Sequence, residues 1–589
     1  MLKARTLADF DAIICFDFEF GAPPGERPAP RCVVARELRT GMEWRVWLDG
    51  MKAPCPYPVG PRTLFLAYYA SAEIACHLVL GWPVPENVID LYVEFKNLKN
   101  VFSSTVRPGR SGLLDALRAF GLSSIGDLAK DEMRQLAMRG GPYTADETKA
   151  LLDYCATDVD GLSRLLTVMA ETIDVPRALL RGAFMISAAR MEHHGIPIDI
   201  GALTEMREHW DGIRMGIIRK IDVDYGVYDD TGRFKVTLFG KYLAARGLLA
   251  TWPRTATGTL SLDDDTMRDM AKMHFELQPL RELRAAIGEL RLGDLVVGGD
   301  GRNRTLLSAF GARTSRNTPS TTKGIFGSAV FMRSLIRPPV GRALAYIDYS
   351  QQEFGIAAAL SGDAAMLDAY ASGDPYLSFA KQAGQAPPSA TKKSHPDVRE
   401  LFKACVLAVQ YSMGAESLAY RIGHPVELGR QLLALHRDTY RHFWKWSDAI
   451  VDTGMWIGDL TTVFGWRGRV HEDARSTSLR NFPMQGNGAE MLRLACILAH
   501  DAGVEICMPV HDALLVEADL ADLDEVVAKT VEAMEIASEV VLGGFRLRAA
   551  ADDKYIFRYP ERYCDPRGVR MWKVVWDSIG EVTRERRCS

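Results

Sequence analysis

The chain has 589 residues, of which 47% are hydrophobic and 25% are charged, and its formal net charge is −4. This length allows several domains, and the composition is that of an ordinary globular protein. No apolar segment approaches the ~20 residues of a membrane-spanning helix, and the acids within the N-terminal apolar run are unlike a signal peptide. The ten cysteines form no CxxC pair and no zinc spacing, which predicts reduced thiols in a cytosolic protein. The slightly negative charge disfavours a nucleic-acid binder but does not exclude one, because binding depends on local basic clefts.

The N-terminal part predicts an α/β domain. Residues 11–50 read as strands separated by turns, and residues 64–170 are mostly helical by period. Strands followed by helices are typical of an α/β arrangement. The pattern changes near residues 171–178, where we place a domain boundary at about residue 170.

Two acids in the first predicted strand indicate a cation site. Asp17 and Glu19 are two positions apart, so both side chains point to the same face of the strand. Paired acids beside an apolar strand are unfavourable unless positive charge is present, and a divalent cation provides it. Further along, Tyr154 and Asp158 are four positions apart and share one face of a predicted helix.

A predicted strand in the second half of the chain ends in another carboxylate, Asp348. The apolar run before Asp348 leads into a helix that carries Glu353. A second candidate, Asp512, lies with His511 between two apolar runs, which predicts a hairpin with both residues at its tight turn. A strand end or a helix cap explains either aspartate alone about as well, but together they fit a two-metal site.

The segment between these aspartates predicts a helix with a distinctive stripe. Arg399, Lys403, Leu407 and Tyr411 are spaced four apart and therefore follow one slowly drifting face. Two cations followed by an aromatic ring suit the phosphates and the base of a nucleotide. A solvated basic face followed by a core tyrosine is the simpler explanation when the stripe is considered alone.

Six segments together resemble motifs of the family A, bacterial polymerase I-like DNA polymerases. They are TSRNTPS (314–320), AYIDYSQQEFG (345–355), DVRELFKACVLAVQYSMG (397–414), VFGWRGRV (463–470), NFPMQGNGAEMLR (481–493) and ICMPVHDALLVEAD (506–519). The resemblance implies a right-hand fold in which Asp348 and Asp512 bind two Mg²⁺ ions, for which Mn²⁺ can substitute. Lys403 would assist catalysis at the triphosphate.

The same resemblance implies further contacts. Those to the dNTP would come from Gln351, Glu353, Arg399, Lys403, Leu407 and Tyr411, and those to primer–template DNA from Arg316, Asn481, Gln485 and His511. Glu353 occupies the steric-gate position, where a carboxylate held against Tyr411 excludes a 2′-hydroxyl. Asn481 and Gln485 would lie along the minor groove, where every correct base pair presents acceptors.

The N-terminal acids resemble those of the DEDDy-type 3′–5′ proofreading exonucleases, which have a ribonuclease H-like fold. This resemblance implies that Asp17, Glu19, Glu73 and Asp158 bind two further metal ions and that Tyr154 orients the attacking water. Glu73 stands where the family usually has Asp. Asp90 is the alternative for this position, although a structural role explains it better.

Several positions depart from the family pattern. Ala513 replaces the usual Glu of the third palm motif, Gly355 stands where Arg is common, and Gln352 replaces an apolar residue. Leu407 stands where many members have an aromatic residue. These differences indicate a divergent branch, which we expect to be of phage origin.

The predicted organisation combines α/β and α+β domains. A ribonuclease H-like exonuclease domain covers residues 1–170 and a polymerase domain covers residues 171–589, with no 5′-nuclease domain. Within the latter we expect a thumb at about 180–300, fingers at about 365–450, and a palm at about 301–364 and 451–589.

The predicted function is DNA synthesis with proofreading during phage genome replication. The partners would be primer–template DNA, dNTPs and replication proteins such as a helicase and a single-strand binding protein, in the host cytoplasm and without a membrane. The alternatives are a polymerase with an inactive exonuclease-like scaffold, a catalytically inactive DNA-binding replication factor and a single-subunit RNA polymerase. Glu353 and the DEDDy-like acids argue against the last of these.

Overall fold

A computed structural model provides the coordinates of the protein. It describes residues 5–48, 50, 53–107, 109–123, 127–255, 257–289, 294–410 and 412–588. Of the residues with a predicted role, Tyr411 lies outside the described residues.

The N-terminal part contains a five-stranded sheet with helices around it. The strands are β1 (Ala12–Gly21), β2 (Ala29–Glu37), β3 (Glu43–Trp47), β4 (Thr63–Ala67) and β5 (Asn87–Asp90), in the order β3-β2-β1-β4-β5. The helices are α1 (Ala70–Leu80), α2 (Leu91–Lys99), α3 (Leu113–Ala119), α4 (Asp127–Arg139) and α5 (Ala145–Met169), and a short strand β6 (Val101–Phe102) lies between α2 and α3. β1 pairs antiparallel with β2 and parallel with β4, so it occupies the centre of the sheet.

Strands β4 and β5 interrupt the region that the sequence pattern predicts as mostly helical. Both strands are buried along their whole length. A short run that is buried on both faces has no alternation of apolar and polar residues, so periodicity cannot distinguish such a strand from a buried helix. Helix α5 forms as predicted, and its start is fixed by a capping box in which Thr144 and Glu147 bond to each other's backbone N–H.

The middle of the chain is mostly helical. It contains α6 (Val175–His194), β7 (Ile196–Pro197), α7 (Ile200–Glu208), α8 (Trp210–Asp222), α9 (Val236–Ala245), α10 (Asp264–Met273), α11 (Gln278–Glu289) and β8 (Arg302–Asn303). Helix α6 begins after an Asp174 cap and packs tightly on β5. A Cβ at Gly182 would lie 1.8 Å from the carbonyl oxygen of Val88, so only glycine permits this approach.

The C-terminal part is built on a four-stranded antiparallel sheet in the order β12-β13-β9-β14. Its elements are β9 (Arg342–Tyr349), α12 (Gln352–Ser361), α13 (Ala364–Ala371), α14 (Pro375–Gln382), α15 (Pro396–Gln410), α16 (Ala415–Ile422), α17 (Val426–Thr439), α18 (Arg441–Ile457), β10 (Asp459–Thr461), β11 (Arg467–Val470), α19 (Ser476–Asp501), β12 (Glu505–Val510), β13 (Ala513–Asp519), α20 (Leu523–Val541), β14 (Ala549–Arg558) and α21 (Val569–Cys588).

The N-terminal and C-terminal parts are joined by shared packing. The β10–β11 hairpin pairs with β6, which makes one three-stranded sheet from both parts. Arg181 on α6 connects the two parts, because it forms two 2.7 Å hydrogen bonds with the buried Glu94 on α2 and donates a 3.3 Å hydrogen bond to the backbone carbonyl oxygen of Phe464. A large apolar core runs through both parts. Among the described residues, no helix combines the length and the hydropathy needed to cross a membrane.

Candidate active sites

Strand β9, one of the two inner strands of the C-terminal sheet, carries Asp348 near its end. Asp348 lies opposite Ala513 in the register of β9 and β13, which places Asp512 beside it. His511 and Asp512 form the turn between β12 and β13, and His511 adopts a left-handed φ of 60°. The predicted hairpin with its acid at the tight turn is therefore confirmed.

The two aspartates interact strongly. Burial and the charge of Asp512 raise the pKa of Asp348 to about 7, and burial also raises the pKa of Asp512. Asp348 nevertheless remains accessible to solvent from the cavity described next. Two close carboxylates that repel each other in an open concave site form a ligand set suited to divalent cations.

The aspartates lie in a cavity of about 800 Å³. Seven residues with predicted roles line it: Arg316, Asp348, Gln351, Glu353, Leu407, His511 and Asp512. The cavity is also lined by Tyr376, Asn317 and Gln410, for which the sequence predicts no role, and by Gln352, which is predicted only as a departure from the family pattern. These four residues come from four separate segments of the chain, so only the folded structure shows that they line one cavity.

Helix α15 brings only part of its predicted stripe to the cavity. Leu407 lines the cavity, whereas Arg399 and Lys403 lie nearer the start of the helix and do not. Arg399 Nε lies 2.5 Å from an Asp374 carboxylate oxygen, and its guanidinium stacks over Tyr376. Lys403 Nζ lies 3.7 Å from Glu400.

Glu353, the predicted steric-gate residue, contacts Arg316, which is predicted to bind DNA. Glu353, in the first turn of α12, lies 3.4 Å from Arg316 Nη2. Asn481 and Gln485 lie one turn apart on α19 and do not line the cavity. Asn481 instead accepts a 3.3 Å hydrogen bond from Ser412 Oγ.

The structure accounts for one departure from the family pattern. A Cβ at Gly355 would lie 2.4 Å from a methyl carbon of Leu547 and 3.0 Å from the ring of Tyr370. The space beside α12 is therefore already filled. Ala513 is fully buried in the sheet, opposite Asp348.

The N-terminal sheet carries a second acidic cluster. One carboxylate oxygen from each of Asp17, Glu19 and Asp158 lies within 4.8 Å of the others. Burial, followed by the charge of Asp158, raises the pKa of Asp17 to about 8, and burial and Asp17 raise the pKa of Glu19. Tyr154 donates a 3.3 Å hydrogen bond to Asp158. Four of the five residues predicted for the exonuclease site therefore lie together.

Glu73 differs from these residues because it does not belong to the cluster. Its carboxylate accepts a 2.8 Å hydrogen bond from the backbone N–H of Phe18, between the two strand acids. The alternative residue, Asp90, caps α2 and accepts hydrogen bonds from the backbone N–H groups of Tyr69 and Ala70. Asp90 thus has the structural role that the sequence analysis favoured.

Lys130 on α4 is a member of this site that the sequence analysis did not identify. Its ammonium lies 3.0 Å from Asp158 Oδ2 and supplies positive charge to the cluster. The sequence around Lys130 has no feature that separates it from other surface lysines. Only the packing of α4 against β1 and α5 reveals its position.

A third group of potential ligands, His194, Cys507 and Glu517, is unsuited to a cation. Arg302 lies 2.8 Å and Arg342 2.7 Å from Glu517, so two guanidinium groups already neutralise its carboxylate. Burial opposes ionisation, but the hydrogen bonds from His194 and Arg302 hold the pKa of Glu517 at about 2. This buried network links α6 and β8 to the C-terminal sheet.

Comparison with known proteins agrees with this geometry. Residues 319–548 match the model of DNA polymerase family A. The DNA polymerase I of Aquifex aeolicus is 25% identical over 408 residues, covering 65% of this chain and 68% of the relative. The thermostable DNA polymerase I of Thermus caldophilus is 31% identical over 211 residues, 33% of this chain and 25% of the relative. The DNA polymerase of Mycobacterium phage L5 is 24% identical over 247 residues, 41% of this chain and 40% of the relative.

One similar solved structure is that of the POL domain of Pol1 from M. smegmatis in complex with DNA primer-template and dNTP. Its TM-score is 0.68 at 21% sequence identity, and the match covers 91% of this chain and 94% of that chain. At this identity the similarity establishes the fold, a polymerase fold of mixed α/β content. The family match includes Asp348, Asp512 and helix α15. The region of residues 319–548 therefore belongs to DNA polymerase family A.

Proposed function

We propose that this chain catalyses template-directed DNA synthesis from dNTPs on a primer. The observation that carries the proposal is the pairing of Asp348, on β9, with Asp512, in the turn before the neighbouring strand β13, within a cavity that Glu353 and Leu407 also line. The match of residues 319–548 to DNA polymerase family A supports the same reaction. The Pol1 relative of this fold binds DNA primer-template and dNTP, and we propose the same ligands here.

The donor set of the cavity fits hard divalent cations. Carboxylate oxygens are the ligands that Mg²⁺ and Mn²⁺ prefer, and the repulsion between Asp348 and Asp512 favours cation binding. Bound cations would activate the primer 3′-hydroxyl and stabilise the leaving pyrophosphate. Glu353, next to this pair, would exclude a nucleotide that carries a 2′-hydroxyl.

Helix α15 would have to change its contacts to bind the triphosphate. Arg399 is held by Asp374 and lies outside the cavity lining. We propose that a bound triphosphate replaces Asp374 as the partner of Arg399, that Lys403 approaches it on the same face, and that Tyr411 completes the nucleotide site. Such a rearrangement would close α15 over the nucleotide.

We further propose that the predicted regions have their family roles. The sheet-bearing segments 301–364 and 451–589 would form the palm, residues 365–450 the fingers and residues 180–300 the thumb. Arg316 and His511, which line the cavity, would contact the primer–template near its terminus. Asn481 and Gln485 on α19 would follow the minor groove beyond it.

A second activity, 3′–5′ proofreading, is favoured by a separate observation. Asp17, Glu19 and Asp158 gather within 4.8 Å, and Tyr154 contacts Asp158. We propose that residues 1–170 form an exonuclease domain in which these acids, supported by Glu73, hold divalent cations. The competing proposal is an inactive scaffold. Similarity to the phage L5 polymerase supports a role in phage genome replication, within the host cytoplasm and alongside other replication proteins.

Primer extension with Mg²⁺ and dNTPs tests the proposed synthesis. Wild-type protein should extend a primed template, and Asp512→Asn should not. For proofreading, a mismatched primer should be degraded without dNTPs by wild type and not by Asp17→Ala. Extension by Asp512→Asn at the wild-type rate would refute the first assignment. Unchanged degradation by Asp17→Ala would refute the second.

A further inference from the structure

Two buried glutamines at the cavity have amide nitrogens without a hydrogen-bond partner among the described residues. Gln352 is 4% exposed and Gln410 is 6% exposed. The Nε2 atom of each is buried and makes no hydrogen bond within the described part of the chain. Both side chains line the cavity that contains the aspartate pair.

Two other buried polar atoms of the same cavity share this property. They are Asn317 Oδ1 and Gln351 Oε1, so the cavity concentrates two unpaired donors and two unpaired acceptors. An unpaired amide donor or acceptor is unfavourable in a buried position, because it has lost its hydrogen bonds to water. Buried polar groups are normally paired, so such a concentration indicates a polar ligand that completes these bonds.

The position of Gln352 indicates which part of a nucleotide it can reach. It begins α12, directly before the gate residue Glu353. Its side chain lies against α19, where a Cβ at Gly488 would come within 3.1 Å of Gln352 Oε1. Gly488 lies three positions after Gln485 and thus near the same face of α19, the face proposed to follow the minor groove.

We propose that Gln352 is a specificity-determining residue, which donates a hydrogen bond from Nε2 to the minor-groove acceptor of the incoming base. This acceptor is N3 of a purine or O2 of a pyrimidine, and all four bases present it at an equivalent place in a correct pair. Gln352 therefore checks pair geometry without selecting one base. The inference rests on the proposed polymerase function.

This assignment explains why an amide replaces an apolar side chain at position 352. An apolar residue would fill the same space against α19 without leaving a buried donor. The amide becomes favourable only when an acceptor enters the cavity. A mismatched base displaces its acceptor and leaves Nε2 unpaired, which disfavours the misaligned complex.

Single-nucleotide incorporation opposite template dC tests the inference with two substrates, dGTP and 3-deaza-dGTP, which lacks the N3 acceptor. The readout is the ratio of kcat/KM for dGTP to kcat/KM for 3-deaza-dGTP. Wild type should give a ratio of about tenfold or more, the effect of one hydrogen bond of typical strength. In Gln352→Leu the ratio should fall at least threefold, because the donor is lost for both substrates.

Two matched variants identify the donor. Gln410→Leu removes the other unpaired amide donor of the cavity, and Gln385→Leu alters an exposed glutamine outside it. Both should keep the wild-type ratio. The thermal midpoint of Gln352→Leu should equal or exceed that of wild type, because the variant removes a buried unpaired amide.

Three outcomes would overturn the inference. They are a wild-type ratio near one, an unchanged ratio in Gln352→Leu, and a ratio that falls in Gln410→Leu instead. These outcomes differ from failure of the proposed function. In that case wild-type protein would not incorporate dGTP at all.

Discussion

Replacing Asp348 by asparagine should stabilise the metal-free protein at pH 8 while it abolishes nucleotide incorporation. Burial and the neighbouring Asp512 raise the pKa of Asp348 from 3.8 to about 7 in the folded protein. The folded state therefore binds a proton more tightly than the unfolded state does. The contribution of protonated Asp348 to the free energy of unfolding is therefore fully present below about pH 4. It is lost as the pH rises through about 7, where Asp348 ionises in the folded protein.

The size of this effect follows from the shift and from the solvent around the group. Three pKa units correspond to about 4 kcal/mol without screening. Asp348 is accessible to solvent at the cavity, so we expect about 1–2 kcal/mol after screening. Removing this repulsion should raise the thermal midpoint of the unit that contains the C-terminal sheet by roughly 2–5 °C at pH 8.

The assay is thermal unfolding in EDTA and in Mg²⁺, at pH 5 and at pH 8. Wild type should gain stability from Mg²⁺ at pH 8, and Asp348→Asn should gain much less, because a bound cation relieves the same repulsion. Asp368→Asn, which alters an exposed acid on α13, is the matched control and should behave as wild type. A lower midpoint for Asp348→Asn than for wild type in EDTA at pH 8 would refute the reasoning.

Three further substitutions test separate parts of the account. Gly355→Arg should lower the thermal midpoint by several degrees or prevent folding, because even its Cβ would lie 2.4 Å from a leucine methyl carbon. Asp374→Ala should lower the KM for dNTPs severalfold, because it removes the ion pair that holds Arg399 outside the cavity. Lys130→Ala should tighten Mn²⁺ binding at the N-terminal acids severalfold, measured by electron paramagnetic resonance, because its ammonium competes with a cation at Asp158.

Each of these predictions has a result that would contradict it. Wild-type stability of Gly355→Arg would mean that α12 can shift away from its neighbours. A raised KM in Asp374→Ala would mean that Asp374 positions Arg399 for binding. Weaker Mn²⁺ binding in Lys130→Ala would mean that the lysine supports the metal site instead of occupying it. Lys149→Ala, which removes an exposed lysine of α5, is a control for the last measurement.

The sequence was most informative where local structure alone positions a side chain. Asp348 and Asp512 were predictable as a pair because a strand end and a tight turn each fix a carboxylate locally. Strand β4 was not distinguished from a helix, because a wholly buried run has no alternation. The N-terminal acids were predictable for the same reason. Asp17 and Glu19 share one face of a strand, and Asp158 lies one helical turn after Tyr154.

Features that depend on how elements pack could not be derived from the sequence. The spacing of the α15 stripe is regular, yet Leu407 lines the cavity while Arg399 pairs with Asp374 outside its lining. Lys130 reaches the acidic cluster only because α4 packs on β1 and α5. Gln410 lines the cavity through the same tertiary packing.

The central claim is that Asp348 and Asp512 act as one unit that holds the cations for nucleotidyl transfer. Single-turnover incorporation of one dNTP by Asp348→Asn, by Asp512→Asn and by the double variant tests it most directly. Each single variant should lose roughly a thousandfold or more of kcat/KM, and the double variant should lose little beyond that, since residues of one unit are non-additive. A single variant that keeps more than about a tenth of wild-type kcat/KM, or losses that multiply in the double variant, would contradict the claim.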